Sequence, residues 1–234
     1  MIPISDDNPT RHPAVVNWLL IGACVAVFVW ELTLGGQGEA AIRLYGFVPQ
    51  TLHGDRMPGG ALAGWPAWTT IFTSMFLHGG VLHIAGNMLF LWIFGNNVED
   101  AMGHFNYLVF YLVSGVAAAM TMYAMDPGSA IPMVGASGAI SGVLAAYVLL
   151  YPKAPVTVIV PLGIVFYPMR VSAVFVVGLW FAIQLFSAWM SNPTQPGVAF
   201  WAHVGGFGAG LLLTPIFKSS DIPLFGRVRR GPWG

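Results

Sequence analysis

Residues 135–151 read GASGAISGVLAAYVLLY, a run of small and apolar residues with two serines and no charge. A helix from Ser137 to Tyr151 has ~15 residues and rises about 22 Å at 1.5 Å per residue. A hydrocarbon core is ~30 Å thick and asks for ~20 mostly apolar residues. The stretch is therefore apolar enough for a membrane yet too short to cross one alone. If its Tyr151 end reaches one face, Ser137 lies several ångströms below the other. The preceding DPGSAIPMVGA, residues 126–136, must then descend to it as irregular chain. Such backbone survives at that depth only beside water or enclosed in protein, so a water-filled pit is expected at Ser137.

The whole chain agrees with this reading. Of its 234 residues, 8% are charged and 56% are hydrophobic, and the mean hydropathy is +0.73. An ordinary soluble domain carries roughly 25% charged residues. Too few charges remain to coat a water-exposed surface, which excludes a soluble globule, and disorder needs the opposite composition. The net charge is zero with no dense basic stretch, so no nucleic-acid partner is expected. The single cysteine, Cys24, provides neither a disulfide framework nor a cysteine metal site.

Six segments approach the length of a span: Ala14–Leu34, Val81–Val98, Phe105–Met125, Ser137–Tyr151, Val171–Met190 and Val198–Phe217. An all-α polytopic membrane protein with a six-helix bundle is expected. A seventh apolar stretch, Val156–Phe166, is too short to cross and is broken by Pro161, so it reads as an interfacial loop or hairpin. Residues 1–13 and 218–234 read as loose cytoplasmic tails around a 14–217 domain, with the first span a retained anchor. Arg11, Lys153, Arg170, Lys218, Arg227, Arg229 and Arg230 fall on the side of the termini, and only Arg43 and Arg56 on the other. This bias puts both termini in the cytoplasm. The loop from Gly35 to about Gly80 then lies outside, resting on the membrane surface.

Polar groups inside spans are costly and ask for an explanation. His83 and Asn87 lie four apart at the start of the second span, on one helical face. Ser137 opens the fourth span and His203 lies near the start of the sixth, within WAHVGGFGAG. With alternating topology all four reach the same depth near the outer ends of three helices. Gly138 with Gly142, and Gly206 with Gly210, form two GxxxG patterns that let these two helices approach closely.

A serine becomes a nucleophile when a base takes its proton, and a neutral imidazole within ~3 Å is the usual base. No acidic residue lies in the outer half of these spans, so a Ser-His dyad is expected and not a triad. The N-terminus of a helix at Ser137, with Asn87, His83 and His78 as further donors, would stabilise an oxyanion. Each residue alone has a plainer reading. A lone serine bonds its own helix, and a lone histidine packs or relays protons. His78, His83 and His203 could meet at a metal, but no carboxylate joins them and HExxH is absent. No metal is expected. Trp65, Trp68, Trp92, Trp180, Trp189 and Trp201 read as interface anchors. Glu99 and Asp100 read as helix-end contacts, and Gln184 as a gate or a bridge between helices.

HIAGN at 83–87, GNNVED at 95–100 with Gly103, GASGAISG at 135–142 and AHVGGFGAG at 202–210 together resemble the rhomboid family of intramembrane serine proteases. The resemblance covers all six spans, about residues 13–217. It implies Ser137 as nucleophile, His203 as general base, His83 and Asn87 as oxyanion-stabilising residues, and His78 as a histidine lining the water-filled cavity. It further implies cleavage of transmembrane protein substrates near the outer leaflet, no cofactor, and an integral multi-pass protein of a bacterial inner membrane. The fifth span and the loop before it would form the substrate gate. The chain departs from the family where a Trp-Arg pair often precedes span two, since Thr69 and Thr70 stand there. It departs again where some members stack a Tyr on the base, since Ser141 stands there, so another group must orient His203. A catalytically inactive binder of membrane helices would share the fold. A transporter or channel would need polar groups continuing to the inner ends of spans four and six, which are almost wholly apolar.

Overall fold

The computed structural model describes residues 1–53, 66–163, 165–191 and 198–226. In chain order, a strand β1 (Ile2–Asp6) precedes helices α1 (Val15–Thr33) and α2 (Gly38–Tyr45). Then come α3 (Thr70–Thr73), α4 (Val81–Phe90), α5 (Asn96–Met102), α6 (His104–Met125) and α7 (Ser137–Leu150). A hairpin of β2 (Pro155–Leu162) and β3 (Val165–Ser172) leads into α8 (Ala173–Met190) and α9 (Phe200–Phe217). The fold is predominantly helical. Among the described residues five rods are long and apolar enough to cross a membrane: α1, the combined rod Val81–Met102, α6, α8 and α9. The sixth expected span, α7, has 14 residues, or about 21 Å. It is also the most enclosed helix, with eleven of its residues buried.

Between α4 and α5 the rod passes through a π-helical turn, Leu91–Gly95. Such a turn leaves a carbonyl outside the α-helical ladder, and Asn17 of α1 meets the need. Its Nδ2 donates to the Leu91 carbonyl at 3.0 Å, and its Oδ1 accepts the Tyr107 hydroxyl of α6 at 2.8 Å. Asn17 is fully buried, so one amide ties three helices together. At the end of the same rod Glu99 accepts the Val16 and Asn17 amides at 2.9 and 2.7 Å and contacts His104. Its carboxylate thus covers two of the unpaired N–H groups that open α1. Asp100 accepts the Arg11 and His12 amides. Both acids make helix-end contacts, as their positions in the sequence suggest.

Two expectations need correction. The fold is not purely helical, because β1, β2 and β3 form an antiparallel sheet in that order. The Val156–Phe166 stretch is indeed a hairpin. Val156, Thr157, Val158, Ile159 and Val160 favour extended chain, and Pro155, Pro161 and Pro168 bar a helix. Over their described residues, 1–13 and 218–226, the two ends are also not loose tails. Ile2 pairs with Ile159 and Asp6 with Val156, and the Tyr147 hydroxyl donates to Asp6 Oδ2 at 2.5 Å. On the other side, Phe225 and Gly226 donate their amides to the Leu149 and Leu150 carbonyls, and Ser219 to Ala101. The Leu149 and Leu150 carbonyls end α7 and that of Ala101 lies in the last turn of α5, and all three would otherwise lack partners. The bonding partners of both ends lie far away in sequence, where no local pattern announces them.

Arg11, Lys153, Arg170 and Lys218 all lie at this sheet-bearing end, beside the start of α1, the end of α7, strand β3 and the end of α9. Arg43 lies in α2, in the loop that joins the opposite helix ends. Arg56, Arg227, Arg229, Arg230 and Trp65 lie outside the described residues.

Candidate active site

The helices that matter for chemistry meet through glycine. A Cβ built on Gly206 would come within 2.0 Å of the Gly138 carbonyl oxygen, and one on Gly210 within 2.4 Å of that of Gly142. Backbone rests on backbone along the α7–α9 seam, as the two GxxxG patterns predict. The same helix α9 also packs on α6, where Gly205 abuts Thr121, a contact that the sequence reading did not contain.

This seam brings Ser137, the first residue of α7, to His203, the fourth of α9. Ser137 Oγ lies 2.8 Å from His203 Nε2. The remaining ring nitrogen, Nδ1, lies 2.7 Å from Gln184 Oε1 on α8. An amide oxygen only accepts, so Nδ1 carries the proton and Nε2 is left with a lone pair. That is the tautomer able to take a proton from the serine hydroxyl. His203 is buried and Ser137 half-buried. The Ser141 hydroxyl donates back to the Ser137 carbonyl at 2.7 Å, an in-helix bond. Trp180, one turn before Gln184, holds its ring 5.8 Å from the imidazole at 37°. Trp180 is thus not the interface anchor expected of it. Trp68, Trp92 and Trp189 are exposed, in keeping with that role.

The chain reaches Ser137 through irregular backbone whose polar groups find partners. Met133 and Phe47 exchange amide bonds, Gln50 donates to Ser129, and the Gly135 amide donates to Ser74 at 2.8 Å. Gly135 has φ +119, and a Cβ there would stand 2.7 Å from His83 Nε2 and 3.6 Å from Asn87 Nδ2. Only glycine admits this backbone so close to α4. His83 Nδ1 accepts the Gly79 amide at 3.3 Å, which places its own proton on Nε2, facing Gly135. Asn87 Nδ2 is buried with no partner.

A cavity of about 820 Å³ opens over these groups, with His83, Asn87, Gly135, Ser137, Trp180 and His203 in its lining. His78 is not among the lining residues. It is 2% exposed and stands behind His83, with ring centroids 5.2 Å apart. Its Nδ1 donates to the Phe76 carbonyl, its amide bonds the Glu31 carboxylate, and its Nε2 has no partner. Burial, with the neighbouring His83, pushes this imidazole down to about 4, so it stays neutral. His78 braces a cavity residue instead of lining the cavity. Thr69 and Thr70, which stand in place of a Trp-Arg pair, bond the Pro66 and Ala67 carbonyls within their own turn.

Comparison with known proteins identifies the setting. The model of the rhomboid domain matches residues 66–220. Rhomboid protein 1, mitochondrial, of Saccharomyces cerevisiae is 31% identical over 209 residues, covering 86% of this chain and 53% of that protein. Rhomboid protease AarA of Providencia stuartii is 31% identical over 160 residues, covering 63% and 55%. Rhomboid-type serine protease 2 of Emericella nidulans is 32% identical over 168 residues, covering 67% and 29%. The chain spans about half the length of the first two and under a third of the last. It is an integral membrane protein that belongs to the rhomboid family.

Proposed function

We propose that this chain is an intramembrane serine endopeptidase that cuts peptide bonds in or near the transmembrane segments of other membrane proteins. Ser137 Oγ attacks the carbonyl carbon, and His203 Nε2 takes the hydroxyl proton and passes it to the departing amine. The negative oxygen is held by Asn87 Nδ2, by His83 Nε2–H and by the unpaired amides that open α7. A water from the cavity then attacks the acyl-enzyme, with the same imidazole as base, and frees Ser137. His78 keeps His83 in place. No cofactor takes part in these steps. The five long rods, with α7 as a sixth helix completed by the irregular chain before it, span the membrane with both termini cytoplasmic. The cationic side chains gathered at the sheet-bearing end support that orientation, and the cavity then opens to the extracytoplasmic side.

The observation that carries the reading is the Ser137–His203 contact, with the imidazole in the receptive tautomer at the floor of a cavity. A helical substrate has its carbonyls hydrogen-bonded and shielded, so the reading requires local unwinding and favours small or helix-weakening residues at the cut site. The test is incubation of the purified protein in detergent with a single-span substrate, beside Ser137→Ala and His203→Ala. Cleavage by the parent protein and its loss in both variants is expected. Full cleavage by Ser137→Ala would overturn the mechanism.

A further inference from the structure

Helix α8 faces lipid along most of its length. Phe175, Leu179, Ile183, Phe186 and Trp189 are all exposed. Its polar side chain in mid-helix, Gln184, is buried and turned inward, with its Oε1 on His203 Nδ1 at 2.7 Å. Trp180, four residues earlier and therefore on the same face, sits against the same ring. It also reaches Phe90 of α4, with centroids 6.3 Å apart. On its Nδ1 side and its ring face the imidazole is therefore gripped from α8, whereas on α7 Ser141 bonds its own helix.

We propose that Gln184 is the positioning residue for His203, fixing the Nδ1–H tautomer and the ring plane, so that α8 arms the base. The inference rests on the dyad reading above. It follows from the inventory of donors near the ring. An unanchored imidazole divides its proton between two nitrogens and rotates about χ2, and only one tautomer in one plane presents a lone pair to Ser137 Oγ. Glutamine reaches Nδ1 as an acceptor without bringing a charge into the bilayer, where a carboxylate is costly. Loss of the grip leaves substrate binding intact and lowers the fraction of enzyme in which the base is aligned. An outward displacement of α8 removes Gln184 and Trp180 from the ring together, so the base is armed only with α8 in place.

The experiment uses the full chain in detergent. Gln184→Met keeps the volume and removes the acceptor. It should lower kcat about ten- to hundredfold with KM unchanged. Labelling of Ser137 by a fluorophosphonate should slow in parallel, with no transmembrane substrate present. Gln184→Glu restores an acceptor and adds charge beside Nδ1–H. It should recover turnover while moving the acid limb of the kcat/KM profile to higher pH, since a carboxylate favours the imidazolium. Among the described residues, the other titratable groups in the cavity lining are His83 of α4 and Asp126 beyond α6, and both are unchanged in the variants. Parent-like kcat and labelling in Gln184→Met at equal folded fraction would overturn the proposal, as would an unmoved acid limb in Gln184→Glu. Cleavage surviving Ser137→Ala would instead defeat the dyad reading beneath it, a separate and recognisable result.

Discussion

At the two ends of the same helical rod, Glu99 with Asn17 and Asn87 with His83 treat their polar atoms in opposite ways. Near its end, at Glu99 and against Asn17, the polar atoms are occupied: two helix amides and His104 on the carboxylate, a carbonyl and a hydroxyl on the amide. Near its start, Asn87 lines a cavity and its buried Nδ2 has nothing to bond, and His83 turns an N–H toward a glycine that barely clears it. About 24 Å of helix separates the two arrangements. A buried amide left without a partner costs about 1–3 kcal/mol. The fold bears that cost at Asn87 and avoids it at Asn17. Occupied polar groups hold helices together, whereas an unoccupied one facing a cavity is a donor waiting for a ligand atom.

The contrast can be broken most severely at the dyad. Ser137→Ala and His203→Ala should each cut turnover at least about a thousandfold while the thermal unfolding curve keeps its shape, as measured by cleavage and by a thiol-free dye melt. Asn87→Ala should cost about 10²–10³ in kcat with little change in stability, because no bond within the fold is lost. Asn17→Ala should do the reverse: about 2–4 kcal/mol of stability lost, with activity per folded molecule preserved. Equal effects of the two asparagines on stability would erase the distinction. Gly206→Ala drives a methyl into the Gly138 carbonyl and should cost about 3 kcal/mol, separating dyad and fold together.

The smallest effect belongs to Asp6. Burial, partly offset by the Tyr147 hydroxyl, raises its carboxyl from the ordinary 3.8 to about 6. The folded state therefore holds this proton more tightly than the unfolded chain. Stability from this group is full below about 4 and declines as pH rises through about 6. Asp6→Asn should stabilise the fold at pH 8 by about 1–2 kcal/mol after screening, read as a higher melting temperature, and the gain should vanish near pH 4. A gain that grows toward low pH would show that the strand is held differently.

The candidate site was legible because its residues violate their surroundings. A serine, two histidines and an asparagine in apolar runs stand out, and glycine spacing says which helices touch. The brevity of α7 was visible by counting. What could not be read was anything set by a partner far along the chain. Nothing in MIPISD indicates that its strand will lie on Val156–Ile159, because strand pairing is specified across space and not locally. Trp180 looked like an interface anchor because an indole suits a headgroup layer and an imidazole equally well. Gln184 was noticed, but its partner depends on how α8 is rotated, which the weakly patterned apolar sequence of that helix does not encode. The π turn at Leu91–Gly95 has no sequence signature apart from Asn17, which lies in another helix.

The sheet has a consequence for the timing of biogenesis. Ile2–Asp6 finds its neighbours about 150 positions downstream, and a ribosome adding roughly 5–20 residues per second needs about 8–30 seconds to deliver them. During that interval an apolar strand with open edges waits at the membrane surface. Closure of the sheet is thus a late event in assembly, after most helices have inserted. It cannot take place until the helix that begins with Ser137 has been completed.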